Sequence, residues 1–188
     1  MQKFNIIWTL FYLSLSTFVP ANCYAELWQG AKALPKLDSS FGIHTQLYQD
    51  HRSQAPKIMA FGQFDYGQTD QIQIETRLGL GNLNYYLGLF SKYQIHSDSN
   101  WDVAVMGGIQ LQSYFSLVGD LIGSIHFDST ELYSSIHFFT PLQGSAMGVG
   151  LIHGFDFKLS QWMVIYLEAN VNLANYYTAG SLGFRHFF

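Results

Sequence analysis

Two stretches of this chain change side-chain character at every residue for ten positions or more. Ile72, Ile74, Thr76, Leu78 and Leu80 share one face, and Gln71, Gln73, Glu75, Arg77 and Gly79 share the other. Met163, Ile165, Leu167, Ala169, Val171 and Leu173 alternate in the same way against Trp162, Val164, Tyr166, Glu168, Asn170 and Asn172. Period two is the period of a β-strand, and an ordinary strand runs only about five or six residues. Strands of roughly ten residues match a tilted crossing of a bilayer. The charge-free face of each segment decides between the two settings. A soluble sheet carries charge on its outer face, whereas a surface this apolar in water would aggregate.

Composition supports the membrane setting. The chain is 48% hydrophobic and 17% aromatic but only 12% charged, where soluble domains carry roughly 25% charged residues. Beyond the N-terminus there is no apolar run long enough to cross a membrane as a helix, which needs roughly 20 residues. The apolar side chains are spread by alternation instead. A net charge of −4 gives no basic surface for nucleic acid.

Ten strand segments can be marked from the C-terminus: 175–188, 161–173, 146–159, 130–140, 115–127, 100–112, 83–95, 70–80, 56–65 and 41–49. Turn signals separate them: QDHRSQAP (49–56), YGQTD (66–70), Gly81-Asn82, HSDSN (96–100), DSTE (128–131), PLQGS (141–145) and Ser160-Gln161. Ser113-Tyr114 is the weakest joint, because no Gly, Pro or Asn marks it. The fold expected is all-β: a transmembrane antiparallel up-and-down β-barrel, ten strands favoured and eight the alternative. Eight strands would be filled by their own side chains, and ten leave at most a narrow passage.

Residues 1–25 have the layout of a secretory signal peptide: Lys3, an apolar run from Ile6 to Val19, Pro20, and a break expected after Ala25. Cys23 would leave with it, so the mature chain has no thiol. Residues 26–40, with Pro35 among them, are expected as a periplasmic lead or a short element tucked into the barrel end, and 41–188 as the barrel. At the other end the chain stops at LGFRHFF, with Leu182, Phe184, His186 and Phe188 on one face. Here the sequence resembles bacterial outer-membrane β-barrel proteins, whose last strand alternates apolar residues and ends on phenylalanine. Leu182, Phe184 and Phe188 match that pattern, while His186 stands where an aromatic is usual.

The resemblance implies a Gram-negative outer membrane, lipid and lipopolysaccharide around the wall, and barrel-assembly machinery that reads the last strand. It also implies both termini periplasmic. HSDSN and DSTE then fall on the periplasmic side, and QDHRSQAP, Gly81-Asn82 and PLQGS outside, all of them short. Adhesins and receptors usually work through longer loops.

The tetrapeptide Ser-Ile-His-Phe occurs at 124 and again at 135. If Asp128–Glu131 form the turn, His126 pairs with Tyr133 and Ser124 with Ser135, and Ser124, His126, Tyr133, Ser135 and His137 face the lumen. One reading makes Ser135 a nucleophile and His126 its base, resembling barrel enzymes that trim acyl chains from lipid A. A dyad of that kind needs an orienting third group and an oxyanion stabiliser, and none is evident. The favoured reading is polar filling of the lumen. Inward charges are assigned to Glu75, Arg77, Lys92, Asp102, Asp120, Asp156, Lys158, Glu168 and Arg185, and Glu75, Arg77, Glu168 and Arg185 are expected to form a paired network.

Asp98, Asn100 and Asp102 begin like a calcium loop, but Val103 and Ile109 break the pattern. Gly79 and Gly81 resemble a phosphate loop only superficially, since no helix pattern follows them. No metal and no cofactor is expected. The role expected is structural or narrow-pore. The alternatives are a lipid A-modifying enzyme, or an outer-membrane component of a secretion or export system docking through residues 26–40.

Overall fold

The computed structural model describes residues 29–50, 56–82, 84–112, 115–142, 147–173 and 177–188. The leader expected at 1–25 lies outside these residues. Ten strands follow one another in chain order: β1 Ser39–Asp50, β2 Lys57–Gly67, β3 Ile72–Gly81, β4 Asn84–Ser97, β5 Trp101–Leu111, β6 Phe115–Phe127, β7 Thr130–Pro141, β8 Gly148–Ser160, β9 Met163–Asn172 and β10 Tyr177–Phe187. Each pairs antiparallel with its sequence neighbour, and β1 pairs with β10 from Ser40↔Phe187 to Asp50↔Tyr177, closing the sheet on itself. The fold is therefore the ten-stranded up-and-down barrel, and the eight-stranded alternative falls.

Closure removes every strand edge, so all ladder groups are paired within the wall. The alternation then sorts side chains to two solvents. Outward residues are large and apolar: Leu78 is 62% exposed, Leu80 72%, Leu121 46% and Leu167 51%. Inward residues on the same strands, such as Arg77, Ile122 and Tyr166, are at most 1% exposed. A wall with that outer face is complementary to hydrocarbon. Aromatics gather at the end where β1 begins and β10 ends, with Phe64, Tyr66, Tyr93, Trp101, Phe127, Trp162 and Phe188 all exposed there. Such a girdle is the usual boundary between hydrocarbon and head groups.

At this same end the connections are tight: 68–71, 98–100, 128–129 and 161–162. At the opposite end β3 and β4 are joined by 82–83, and the longest links are 51–56 and 142–147. Ser113-Tyr114, the weakly marked joint, lies in the link between β5 and β6 and outside the described residues.

The doubled tetrapeptide is a hairpin, but its register differs from the expected one by two residues. His126 pairs with Glu131, Ser124 with Tyr133 and Ile122 with Ser135. The turn is only Asp128-Ser129, with Asp128 at φ 41°. Two-residue hairpin turns need positive φ, which aspartate tolerates, and they match the twist of the strands better than a four-residue turn. Which face each side chain takes is unchanged, because a shift of two preserves it. Lys158, expected inward, is exposed just before a register shift between Lys158 and Ser160 at the end of β8.

The lumen is packed like a core. Tyr48, Met59, Phe61, Tyr86, Phe90, Met106, Ile122, Tyr133, Phe139, Ile152 and Tyr166 form one buried cluster through it. Glycines on neighbouring strands make room for the rings. A Cβ at Gly154 would sit 2.1 Å from the Tyr133 ring, and one at Gly79 would sit 2.4 Å from Phe61.

Candidate functional site: the mouth at the chain termini

Residues 29–34 do not trail from the barrel. They turn into its mouth, where Gln29, Gly30, Ala31, Ala33 and Leu34 are buried. An extended segment entering a lumen brings unpaired backbone groups that the wall must satisfy. Ala31 N donates to Ser124 Oγ at 3.1 Å, Ala33 N to Gln94 Oε1 at 3.3 Å, and Leu34 N to Gln73 Oε1 at 3.0 Å. In the other direction Lys92 Nζ donates to the carbonyls of Gly30 at 3.2 Å and Lys32 at 2.7 Å. Three strands, β3, β4 and β6, thus supply the partners for one short run of chain. A cleft of about 340 Å³ remains beside this plug, lined by Lys32, Ala33, Pro35, Asp70, Gln94 and His96.

Plug and wall share one chain of charge-assisted bonds. Gln29 donates to Glu75 through Nε2 and accepts from Gln73 at 2.9 Å, while Glu75 also receives the guanidinium of Arg77. The Arg77 guanidinium carbon lies 4.5 Å over the Phe90 ring. Of the four residues expected to form a network, Glu75 and Arg77 are in direct contact. Arg185 reaches Asp65 at 3.7 Å, and Glu168 accepts from the Tyr133 hydroxyl at 3.2 Å. Asp65 was missed in the sequence, although its alternation with Gln63 on β2 marks it as inward. It is fully buried and also accepts from Ser40 Oγ at 2.6 Å and Gln63 Nε2 at 2.7 Å.

Ser135 and His126 do not meet. Ser135 donates to Asp120 Oδ1 at 3.1 Å, and the same oxygen lies 2.9 Å from His137 Nδ1. The aspartate stands at the centre of that group, so the hydroxyl donates to a carboxylate and not to an imidazole base. His126 instead lies between Asp102 Oδ2, 2.5 Å from its Nε2, and Glu131 Oε2, 4.0 Å from its Nδ1. The Ser–His contact that does form is on the outer wall, with Ser134 Oγ 2.8 Å from His153 Nδ1. It joins register partners on β7 and β8, and the two groups satisfy one another on an otherwise apolar surface.

The carboxylate of Asp98 folds back onto its own turn. It accepts from Asn100 N at 2.7 Å and Trp101 N at 3.0 Å, which holds its pKa below the ordinary aspartate value. Asp102 points into the lumen, so the calcium-like triplet is split between two environments. On β10, Leu182, Phe184 and Phe188 face outward, and the departure from the terminal pattern, His186, lies 2.8 Å from the Trp162 carbonyl through Nδ1.

No family model matches this sequence, and no curated protein matches it. Solved structures do match its fold. The COG4313 outer membrane channel from Pseudomonas putida F1 aligns over 87% of this chain and 100% of its own, with a TM-score of 0.61 at 12% identity. The KdgM porin aligns over 80% of this chain and 98% of its own at 11% identity, with a TM-score of 0.47. Neisserial surface protein A covers 79% of this chain and 95% of its own at 11% identity, with a TM-score of 0.36. At these identities the likeness is one of architecture: this chain has the fold of bacterial outer-membrane β-barrel proteins.

Proposed function

We propose that this chain is a small outer-membrane barrel with a structural role, its lumen closed at rest and its own N-terminal residues forming the plug. One observation carries the reading. The lumen-facing residues midway along the barrel are buried: Arg77, Tyr133 and Ile152 are at most 1% exposed, and Asp120 and Glu168 4%. A water-wide passage would leave its lining accessible along the whole barrel, and these mid-barrel side chains are closed off. In this reading residues 1–25 are removed on export and both termini lie in the periplasm. Phe188 with Leu182 and Phe184 presents the last strand to the assembly machinery, and the loops facing outside are short. Lipid and lipopolysaccharide surround the wall.

A second reading is favoured by the likeness to a protein described as an outer membrane channel. Small solutes would then pass after residues 29–34 leave the mouth and the aromatic cluster below them shifts. Planar bilayers separate the two. The structural role predicts silence over many insertions of the full mature chain, and discrete conductance steps would replace it with the channel reading. The enzyme reading lacks the Ser135–His126 contact it was built on. A docking role for 26–40 must reckon with residues 29–34 being bonded inside the wall.

A further inference from the structure

Four consecutive strands present Asp102, His126, Glu131 and Asp156 to the lumen beside the plug. His126 and Glu131 are register partners, and so are Glu131 and Asp156. Asp102 is fully buried, and its Oδ1 accepts from Gln94 Nε2 at 3.3 Å, leaving Oδ2 to the imidazole of His126. Glu131 is 12% exposed, yet its Oε1 has no hydrogen-bond partner, and Asp156, 6% exposed, has an Oδ1 in the same condition. Lys92 donates to the plug carbonyls, while Asp102 and Glu131 both pair with His126. Two carboxylates therefore flank one imidazole, and the unsatisfied Oδ1 of Asp156 belongs to the register partner of Glu131 on the next strand. An acceptor-rich cluster of that kind is costly unless a cation joins it.

We propose that Asp102, His126 and Glu131 bind a divalent transition-metal cation of the zinc class at the junction of wall and plug. One donor atom from each lies within 4.8 Å of the other two. Donors on one zinc ion stand about 3–4 Å apart when each bond is about 2.0–2.2 Å, so the ion would part His126 from Asp102, now 2.5 Å apart, and draw the Glu131 carboxylate inward. One imidazole with two carboxylates suits zinc and its neighbours better than magnesium, which prefers oxygen and keeps its waters. Each ring nitrogen of His126 faces a carboxylate. The plug roofs the site: a Cβ at Gly30 would fall 1.5 Å from Glu131 Oε1. Metal binding would thus clamp β5, β6 and β7 beneath residues 29–31. It would also link occupancy of the ion to seating of the plug.

The test uses tag-free mature chain folded in detergent, stripped with chelator, and titrated calorimetrically with zinc chloride. The expected result is one ion per chain, with micromolar or tighter affinity and no competition from a large excess of magnesium chloride. His126→Gln and Glu131→Gln should each weaken binding about 10–100-fold, and His96→Gln and His186→Gln should leave it unchanged. A gel-mobility shift on heating checks that each variant is folded. If both site variants fail that check, cobalt chloride added to the wild-type chain supplies the reading through its ligand-field absorption, which reports an imidazole-bound ion. Absence of saturable binding to the folded wild type overturns the proposal, as does undiminished affinity in folded His126→Gln, or an equal loss in His96→Gln.

Discussion

The two halves of the lumen are filled with different chemistry. Towards the chain termini lie Asp65, Glu75, Lys92, Asp102, Asp156 and Arg185, all buried. Towards the opposite end lie Gln46, Tyr48, Met59, Tyr86, Gln110, Phe139 and Asn172, buried as well but uncharged. The wall is built the same way at both ends, so strand geometry does not explain the contrast. The plug does. Residues 29–34 bring backbone amides and carbonyls into one half only, and those groups hold the ammonium of Lys92 and, through Gln29, the carboxylate of Glu75. An ionised group survives away from water when partners are fixed around it. Where none of residues 29–34 enters, mostly neutral side chains fill the space, and volume becomes the limiting quantity.

If this contrast is right, the two halves should fail for different reasons. The largest effect is expected from Arg77→Ala, which leaves the Glu75 carboxylate buried without its guanidinium. Breaking a buried pair from one side costs about 3–5 kcal/mol. Urea unfolding in lipid vesicles, followed by tryptophan fluorescence, should show that loss, and a change under about 1 kcal/mol would remove charge pairing as the organising feature of the plugged half.

Gly79→Ala probes the other half with no change of charge. Its methyl group would sit 2.4 Å from the Phe61 ring and 3.1 Å from Tyr86 Cβ. Overpacking of this kind costs about 1–3 kcal/mol. The same unfolding assay reads it, and an unchanged midpoint would mean that the far half is loosely filled.

Ser124→Ala should be milder, at about 0.5–1.5 kcal/mol for one neutral hydrogen bond. Its signature should be local: amide exchange at Ala31 should quicken while the far half stays protected. Uniform quickening along the wall would show that the plug is not a separate unit.

Asp98 gives the smallest effect. Its carboxyl is held below the ordinary value, so the turn's contribution is fully present above the unfolded pKa, near pH 4. It fades as pH falls through the lower folded value. Amide exchange at Asn100 and Trp101 should accelerate only in that acidic window, and Asp98→Ala should abolish the pH dependence.

Much of the wall was legible because it depends on period two alone. Segments 115–127 and 130–140 anticipated β6 and β7 almost to the residue, since apolar residues facing lipid leave no other way to alternate. Facing was legible for the same reason, and Glu75, Arg77, Asp102 and Arg185 all lie inward as expected. The hairpin register was not legible. DSTE fits a four-residue turn as well as a two-residue one, and a shift of two leaves every face unchanged. The plug was less legible still, because 29–34 has no periodicity and its hydrogen bonds run to residues far along the chain.

His126 shows where the boundary falls. Its sequence neighbours offered it Ser135, and the registers of β6 with β5 and β7 gave it Asp102 and Glu131 instead. The amino-acid order by itself determined a wall of membrane-length strands, ten favoured over eight, and which side chain faces which medium, because alternation is local. Tertiary structure alone decided which buried charges meet, and that a piece of the N-terminal chain meets them. Those contacts depend on strand stagger and on closing the ring, and no local pattern encodes either.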